Sequence, residues 1–191
     1  TGFNSGRCHF YQRRGHSMNK MSHAATTPYH DRPYRPCVGI FLLNGGGQVF
    51  AGRRIDSRAE AWQMPQGGID AGESPFDACM REMREEIGTN AAELIGQHDQ
   101  WLYYDIPIPL ANRLWQGKYR GQKQKWMALR FTGHDDDINI ATNEPEFCEW
   151  KWLSPLDLVE LAVPFKRDVY QNVLSAFKPI LIKHSHSSST L

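Results

Sequence analysis

The chain reads as an α/β (α+β) domain in which a mixed β-sheet is sandwiched between helices. Two patterns predict this. Short apolar runs bounded by Gly, Asn and Pro recur through the middle of the chain, and segments with helical apolar spacing stand between them. The length, 191 residues, suits one such domain with a sizeable core plus tails. Hydrophobic residues at 40% and aromatics at 12% supply that core and exclude wholesale disorder.

In chain order, Cys37 to Leu43 (CVGIFLL) reads as a buried strand, Asn44–Gly47 as a turn that accepts positive φ, and Gln48 to Arg53 as the returning strand. The glycines are not a phosphate cradle, because no helix follows them and no Lys-Ser/Thr ends them. Trp62-Gln63-Met64 is a short strand entering a Gly-rich loop. Pro75 to Ile87 is a helix, with Pro75 in its first turn and Gly88 as its stop. Further strands are expected at Leu94–Tyr104, Lys125–Thr132 and Phe147–Leu153. Ser154 caps a helix that Pro155 opens. A last helix is expected over Lys166–Phe177, with Val169, Val173, Leu174 and Phe177 as its apolar stripe. The domain therefore occupies residues 34–178. Residues 1–33 carry no acid before Asp31 and show no amphipathic period, so they read as a flexible extension; residues 179–191 read as a tail.

Lys and Arg number 22 against 21 Asp and Glu, a formal charge of +1 that argues against non-specific coating of nucleic acid. The longest apolar runs are far too short to cross a bilayer, and residues 1–30 hold no apolar signal segment. The cysteines at 8, 37, 79 and 148 form no CxxC pair. No zinc ribbon, redox pair or disulfide framework is expected, and reduced thiols in a cytoplasmic protein are.

Chemistry concentrates in Gly67 to Thr89, GGIDAGESPFDACMREMREEIGT. Glu82, Glu85 and Glu86 stand at i, i+3 and i+4 and share one helix face within about 100° of arc. Phe76, Cys79, Met80, Met83 and Ile87 fall on a neighbouring face, so the helix can dock on a sheet while presenting three carboxylates side by side. Like charges at that spacing repel. In a partly enclosed site only cations keep all three ionised, and clustered hard oxygen donors select Mg²⁺ or Mn²⁺. A solvated acidic face is the ordinary alternative for an isolated helix of this kind.

The surrounding residues overturn that alternative. Gly67, Glu73, Arg81, Glu82, Glu85, Glu86 and Gly88 match G-x5-E-x7-R-E-U-x-E-E-x-G-U, a coincidence on the order of 10⁻⁹ per window at ordinary residue frequencies. The segment resembles the Nudix box of the Nudix hydrolases, departing only at the final aliphatic position, where Thr89 stands past the helix stop. YRPCVGIFLLN (34–44), WQMPQGGI (62–69), GQKQKW (121–126), NEPEFCEWKW (143–152) and FKRDVY (165–170) extend the likeness. They are similar to the bacterial RNA pyrophosphohydrolase branch, which also contains dinucleoside polyphosphate hydrolases.

That resemblance implies a Nudix fold and a Mg²⁺-dependent pyrophosphohydrolase, Mn²⁺ substituting, that cuts phosphorus anhydrides. It implies that Glu82, Glu85, Glu86 and the Gly67 carbonyl hold the metals, with Glu146 as an extra acidic residue beside them. Glu73 and Arg81 would pair behind them and fix the helix entrance. Either Glu86 or Glu146 would serve as general base, with Glu85 also in the catalytic set. Arg35, Arg54, Lys123 and Lys125 are phosphate-binding candidates, and Tyr104, Phe165 and Lys166 would hold RNA by stacking and charge. In a strand, Lys123 and Lys125 share one face and Gln122 and Gln124 the other, so one set alone faces the cleft. The implied substrate is 5′-triphosphorylated RNA, giving 5′-monophosphate ends plus pyrophosphate or two phosphates, in RNA decay. Dinucleoside polyphosphates are the alternative substrate, and a non-catalytic RNA- or nucleotide-binding module the alternative of another class. Neither a membrane nor DNA is an expected partner.

Overall fold

The computed structural model describes residues 27–56 and 61–187. β1 (Tyr34–Leu43) is the axis of the sheet. It runs parallel to β7 (Gly121–Phe131), in register from Tyr34↔Gly121 to Leu43↔Arg130. Its other edge takes β2 (Val49–Arg54) through the expected turn and β4 (Gln66–Gly68) antiparallel, with Val38 opposite Gly67. In the turn, the Asn44 side-chain oxygen accepts from the Gly46 and Gln48 amides at 3.0 and 2.9 Å. β3 (Trp62–Gln63) and β8 (Phe147–Leu153) pair with β2, while β5 (Ala92–Gln97) and β6 (Leu102–Asp105) pair with β7.

Alternation along β1 and β7 divides the core into two layers. Val38, Ile40, Leu42, Met127 and Leu129 meet Ala78, Cys79, Met83 and Ile87 of α1 (Pro75–Ile87). Phe41, Leu43, Trp126 and Ala128 meet Leu158 of α3 (Pro155–Leu161) and Val169, Tyr170, Val173 and Phe177 of α4 (Arg167–Ser187). The sheet is thus covered on both faces, as expected. Emptying a fully buried site such as Met83 costs about 2–5 kcal/mol, which ties the α1 carboxylates to the sheet.

Several elements depart from the sequence reading. The strand expected over Leu94–Tyr104 is two strands, because the chain turns at His98, whose amide donates to the Trp126 carbonyl at 2.9 Å. β7 begins at Gly121 rather than Lys125, since its polar start is paired on both edges by β1 and β6. The helix α2 (Ile108–Ala111) was not expected; Pro107 and Pro109 obscure it. α4 runs through Pro179 to Ser187 instead of ending at Phe177, because Ile180 and Leu181 still pack on the core. Of the extension expected over 1–33, residues 1–26 lie outside the described residues. Tyr29–Asp31 forms a single 3₁₀ turn, docked by the Tyr29 hydroxyl, which donates to the Ile106 carbonyl at 2.8 Å. Cys37 and Cys79 are free and buried, and burial pushes both thiols up to about 12. The Cys148 sulfur lies 3.4 Å from the Arg53 carbonyl, and Cys8 lies outside the described residues. Among the described residues, no helix is long and apolar enough to cross a membrane.

Candidate active site

The ends of α1 are written into the sequence. The Ser74 hydroxyl accepts from the Asp77 amide at 3.1 Å, Pro75 occupies the first turn, and Gly88 closes the helix at φ 82°, a conformation that suits glycine. The helix so framed carries its carboxylates to β4. Glu86 is 2% exposed: one carboxylate oxygen accepts from the Gln66 amide at 3.1 Å, and the other is buried without a hydrogen-bond partner. Glu82 is mostly enclosed and Glu85 is exposed. Gly67 makes the approach of Glu82 possible, because a Cβ there would lie within the Glu82 carboxylate.

Arg81 organises the outer side of the cluster. Its Nε and Nη2 donate to the two carboxylate oxygens of Glu73 at 2.9 and 2.8 Å, and Nη2 also donates to the Gly68 carbonyl at 2.8 Å. The Glu73–Arg81 pair therefore bridges loop and helix. Arg81 holds the Glu73 carboxyl down at about 2, helped by the Asp70 amide. The remaining Nη1 reaches Glu82 at 2.8 Å and Glu85 at 3.2 Å, contacts that the sequence did not suggest.

Glu146 enters from the loop before β8, where Arg54 Nη1 donates to it at 2.6 Å. Glu82, Glu85, Glu86 and Glu146 line one cavity of about 420 Å³, with Arg84, Thr142, Asn143 and Glu144. Burial, then the charge of Glu146, pushes the Glu86 carboxyl well above the usual carboxylate range. Burial also raises Glu82, against the pull of Arg81. Among the described residues, no three acids converge closely enough to hold an ion as they stand, and Arg81 and Arg54 are paired with Glu82, Glu85 and Glu146. The donor set nonetheless fits a divalent cation: the lining acids are all hard oxygen donors, and the unpartnered Glu86 oxygen is buried with no proton donor to satisfy it.

The other candidates separate into two groups. Phe165 stacks on Tyr104, with ring centroids 5.9 Å apart, and the Lys166 ammonium lies 6.0 Å from the Tyr104 ring. Lys166 is buried and donates to the side-chain oxygens of Gln63 and Gln66 at 2.8 and 2.9 Å. Burial, then the charge of Arg54, pushes its ammonium down to about 7. Arg35 lies over Trp115 and against Gly68, at the edge of the glycine loop. Lys123 and Lys125 are not brought to this group. Lys123 lies over Trp101, and Lys125 donates to the Asp99 carbonyl at 2.8 Å. It is Gln122 and Gln124 that face Gln66, Tyr104 and the site.

A family model of the NUDIX domain matches residues 33–173. The chain belongs to the NUDIX family. Members of this family are pyrophosphohydrolases acting on phosphorus anhydrides and generally use divalent metals. The chain is 57% identical over 148 residues to the RNA pyrophosphohydrolase of Roseobacter denitrificans, covering 76% of this chain and 92% of that one. It is 59% identical over 143 residues to that of Rhodospirillum rubrum, covering 75% and 86%. Among solved structures, the E. coli dihydroneopterin triphosphate pyrophosphohydrolase superposes with a TM-score of 0.60 at 20% identity, over 74% of this chain and 97% of that one. A C. elegans Ap4A hydrolase complex gives 0.53 at 17%, over 75% and 98%. At those identities the likeness establishes the shared NUDIX fold alone.

Sequence reasoning missed the amide cluster of this NUDIX site. Gln63 and Gln66 accept from Lys166, Gln122 and Gln124 bond Gln66 and each other, and the Tyr104 hydroxyl donates to Gln122 at 2.7 Å. The signal was present in WQMPQGG and GQKQKW, where glutamines recur at strand positions inside an otherwise apolar sheet. Strand alternation divided the lysines from the glutamines there without showing which set faces inward.

Proposed function

We propose that this NUDIX hydrolase converts 5′-triphosphorylated RNA to 5′-monophosphorylated RNA, releasing pyrophosphate or two phosphates, with Mg²⁺ as its cofactor and Mn²⁺ able to replace it. One observation carries the reading. Gln66 links the carboxylates to the aromatic stack: its amide donates to Glu86, its side-chain oxygen accepts from Lys166, and Lys166 lies against Tyr104, which stacks on Phe165. A polyphosphate centre, a cation and a base platform thus follow one another in the order in which a 5′ end presents phosphate and base. The identity to relatives named RNA pyrophosphohydrolase supports the same substrate.

Glu82, Glu85, Glu86, Glu146 and the Gly67 carbonyl would hold the cation. A bound divalent ion neutralises phosphate oxygens and lowers the pKa of water. Arg54 and Lys166 add positive charge along the phosphate chain, and Glu73 acts through Arg81 to keep α1 in place. The proton of the attacking water passes to Glu86 or Glu146; burial, then the charge of Glu146, raises the affinity of Glu86 for protons. Water then bonds to phosphorus as the P–O bond to the departing phosphate breaks. An enzyme of RNA decay would work in the cytoplasm.

The same cavity also suits a dinucleoside polyphosphate, whose adenine would use the Phe165–Tyr104 stack. A competition assay between triphosphorylated RNA and diadenosine tetraphosphate decides between them. A higher kcat/KM for the RNA is expected; a much higher value for the dinucleotide would reverse the assignment.

A further inference from the structure

Arg54 stands at the end of β2, where the register with β8 slips. Arg53 pairs with Glu149 but Arg54 with Phe147, so the register shifts by one residue at Cys148. Such a bulge re-aims side chains. The two neighbouring arginines meet different carboxylates: Arg53 bonds Glu149 at 2.7 Å, whereas Arg54 turns to Glu146 and the cavity. Its guanidinium is held from behind. Arg54 Nε donates to one oxygen of Asp56 at 2.7 Å and Nη2 to the other at 2.8 Å, a bidentate grip that leaves Nη1 to point at Glu146, 2.6 Å away.

We propose that Asp56 is a positioning residue for phosphate recognition: it fixes the Arg54 guanidinium so that Nη1 is presented to a non-bridging phosphate oxygen of the substrate once Glu146 turns into the cavity. The inference rests on the pyrophosphohydrolase reading above. A phosphate oxygen replaces a carboxylate oxygen in the same charge-assisted bond, so Arg54 need not move. Glu146 and the substrate therefore exchange places on one donor, and Asp56 keeps that donor in place during the exchange. An unheld arginine would have to give up rotamer freedom on binding each substrate molecule. Asp56 is largely exposed and belongs to neither core layer, so its replacement leaves the fold intact.

The test compares the wild type, Asp56→Asn, Arg54→Gln and the double variant. Calorimetry gives the affinity for imidodiphosphate in Mg²⁺, and kinetics gives KM and kcat on triphosphorylated RNA. Asp56→Asn is expected to raise both Kd and KM by roughly three- to tenfold while kcat stays within about twofold. In the Arg54→Gln background, Asp56→Asn is expected to change nothing further, because its action passes through that side chain. Unchanged imidodiphosphate affinity in Asp56→Asn, or losses that simply add in the double variant, would overturn the role of Asp56. A wild type that binds imidodiphosphate but leaves triphosphorylated RNA uncut would overturn the RNA reading, and the calorimetric comparison would still decide for or against Asp56.

Discussion

Replacing Glu86 with Gln should make the metal-free protein more stable and the enzyme inactive. Glu86 is 2% exposed, and one of its oxygens is buried with no partner. Its other oxygen accepts from the Gln66 amide, a bond that the glutamine oxygen can keep. The glutamine nitrogen brings a donor towards Glu146 and removes a buried charge that repels it. Relieving an unsatisfied buried polar group is worth about 1–3 kcal/mol, and a chain of this size gains about 2–4 °C in Tm per kcal/mol. A rise of about 2–12 °C in EDTA is expected. The sign follows from protonation. The folded protein holds the Glu86 proton more tightly than the unfolded chain does, so this contribution is full below the unfolded value of about 4.3 and is lost as pH rises towards the raised folded value. In Glu86→Gln that falling limb disappears. Turnover of triphosphorylated RNA should drop by about 10²–10⁴-fold, the scale of a lost general base or ligand. Scanning calorimetry in EDTA at pH 5 and pH 8, with pyrophosphate release in Mg²⁺, measures both. A variant that unfolds several degrees lower in EDTA, or that keeps wild-type turnover, would refute this view of the pocket.

Gly67→Ala should cost at least about 100-fold in turnover, because the new methyl group displaces the Glu82 carboxylate; an active Gly67→Ala enzyme would show that this approach is dispensable. Lys166 is pushed down to about 7, so it carries charge below that pH and loses it above. The KM for triphosphorylated RNA should therefore climb between about pH 7 and pH 9, and Lys166→Arg should flatten the climb; identical profiles for the two proteins would contradict it. Arg54, Glu86 and Glu146 are the charged groups acting on it. Phe165→Ala removes the ring stacked on Tyr104 and should raise KM for RNA by about five- to 100-fold while leaving inorganic tripolyphosphate cleavage little changed; equal losses on both would count against a base platform.

Local signals made α1 legible. Pro75 and Gly88 mark its ends, and the glutamate spacing fixes which face carries the acids. The Glu73–Arg81 pair followed from the resemblance and is present in the geometry. What escaped the sequence is non-local. β4 is three residues long and exists because β1 offers it a free edge. The second duty of Arg81, towards Glu82 and Glu85, depends on the loop geometry that brings Glu73 to its other side. Lys123 and Lys125 looked suited to phosphate, yet the strand turns them towards Trp101 and Asp99, and the uncharged Gln122 and Gln124 face the site. Lys166 can be buried there because the amide oxygens of Gln63 and Gln66 solvate its ammonium, a compensation that no local pattern reveals.

The most direct test is anomalous diffraction from crystals soaked in millimolar Mn²⁺. Manganese should be bound by Glu82 and Glu86 within the cavity, with Arg81 withdrawn from Glu82 and Arg54 released from Glu146. Crystals in which both arginines keep their carboxylates and no manganese peak lies among Glu82, Glu85, Glu86 and Glu146 would contradict a metal-dependent hydrolase at this site.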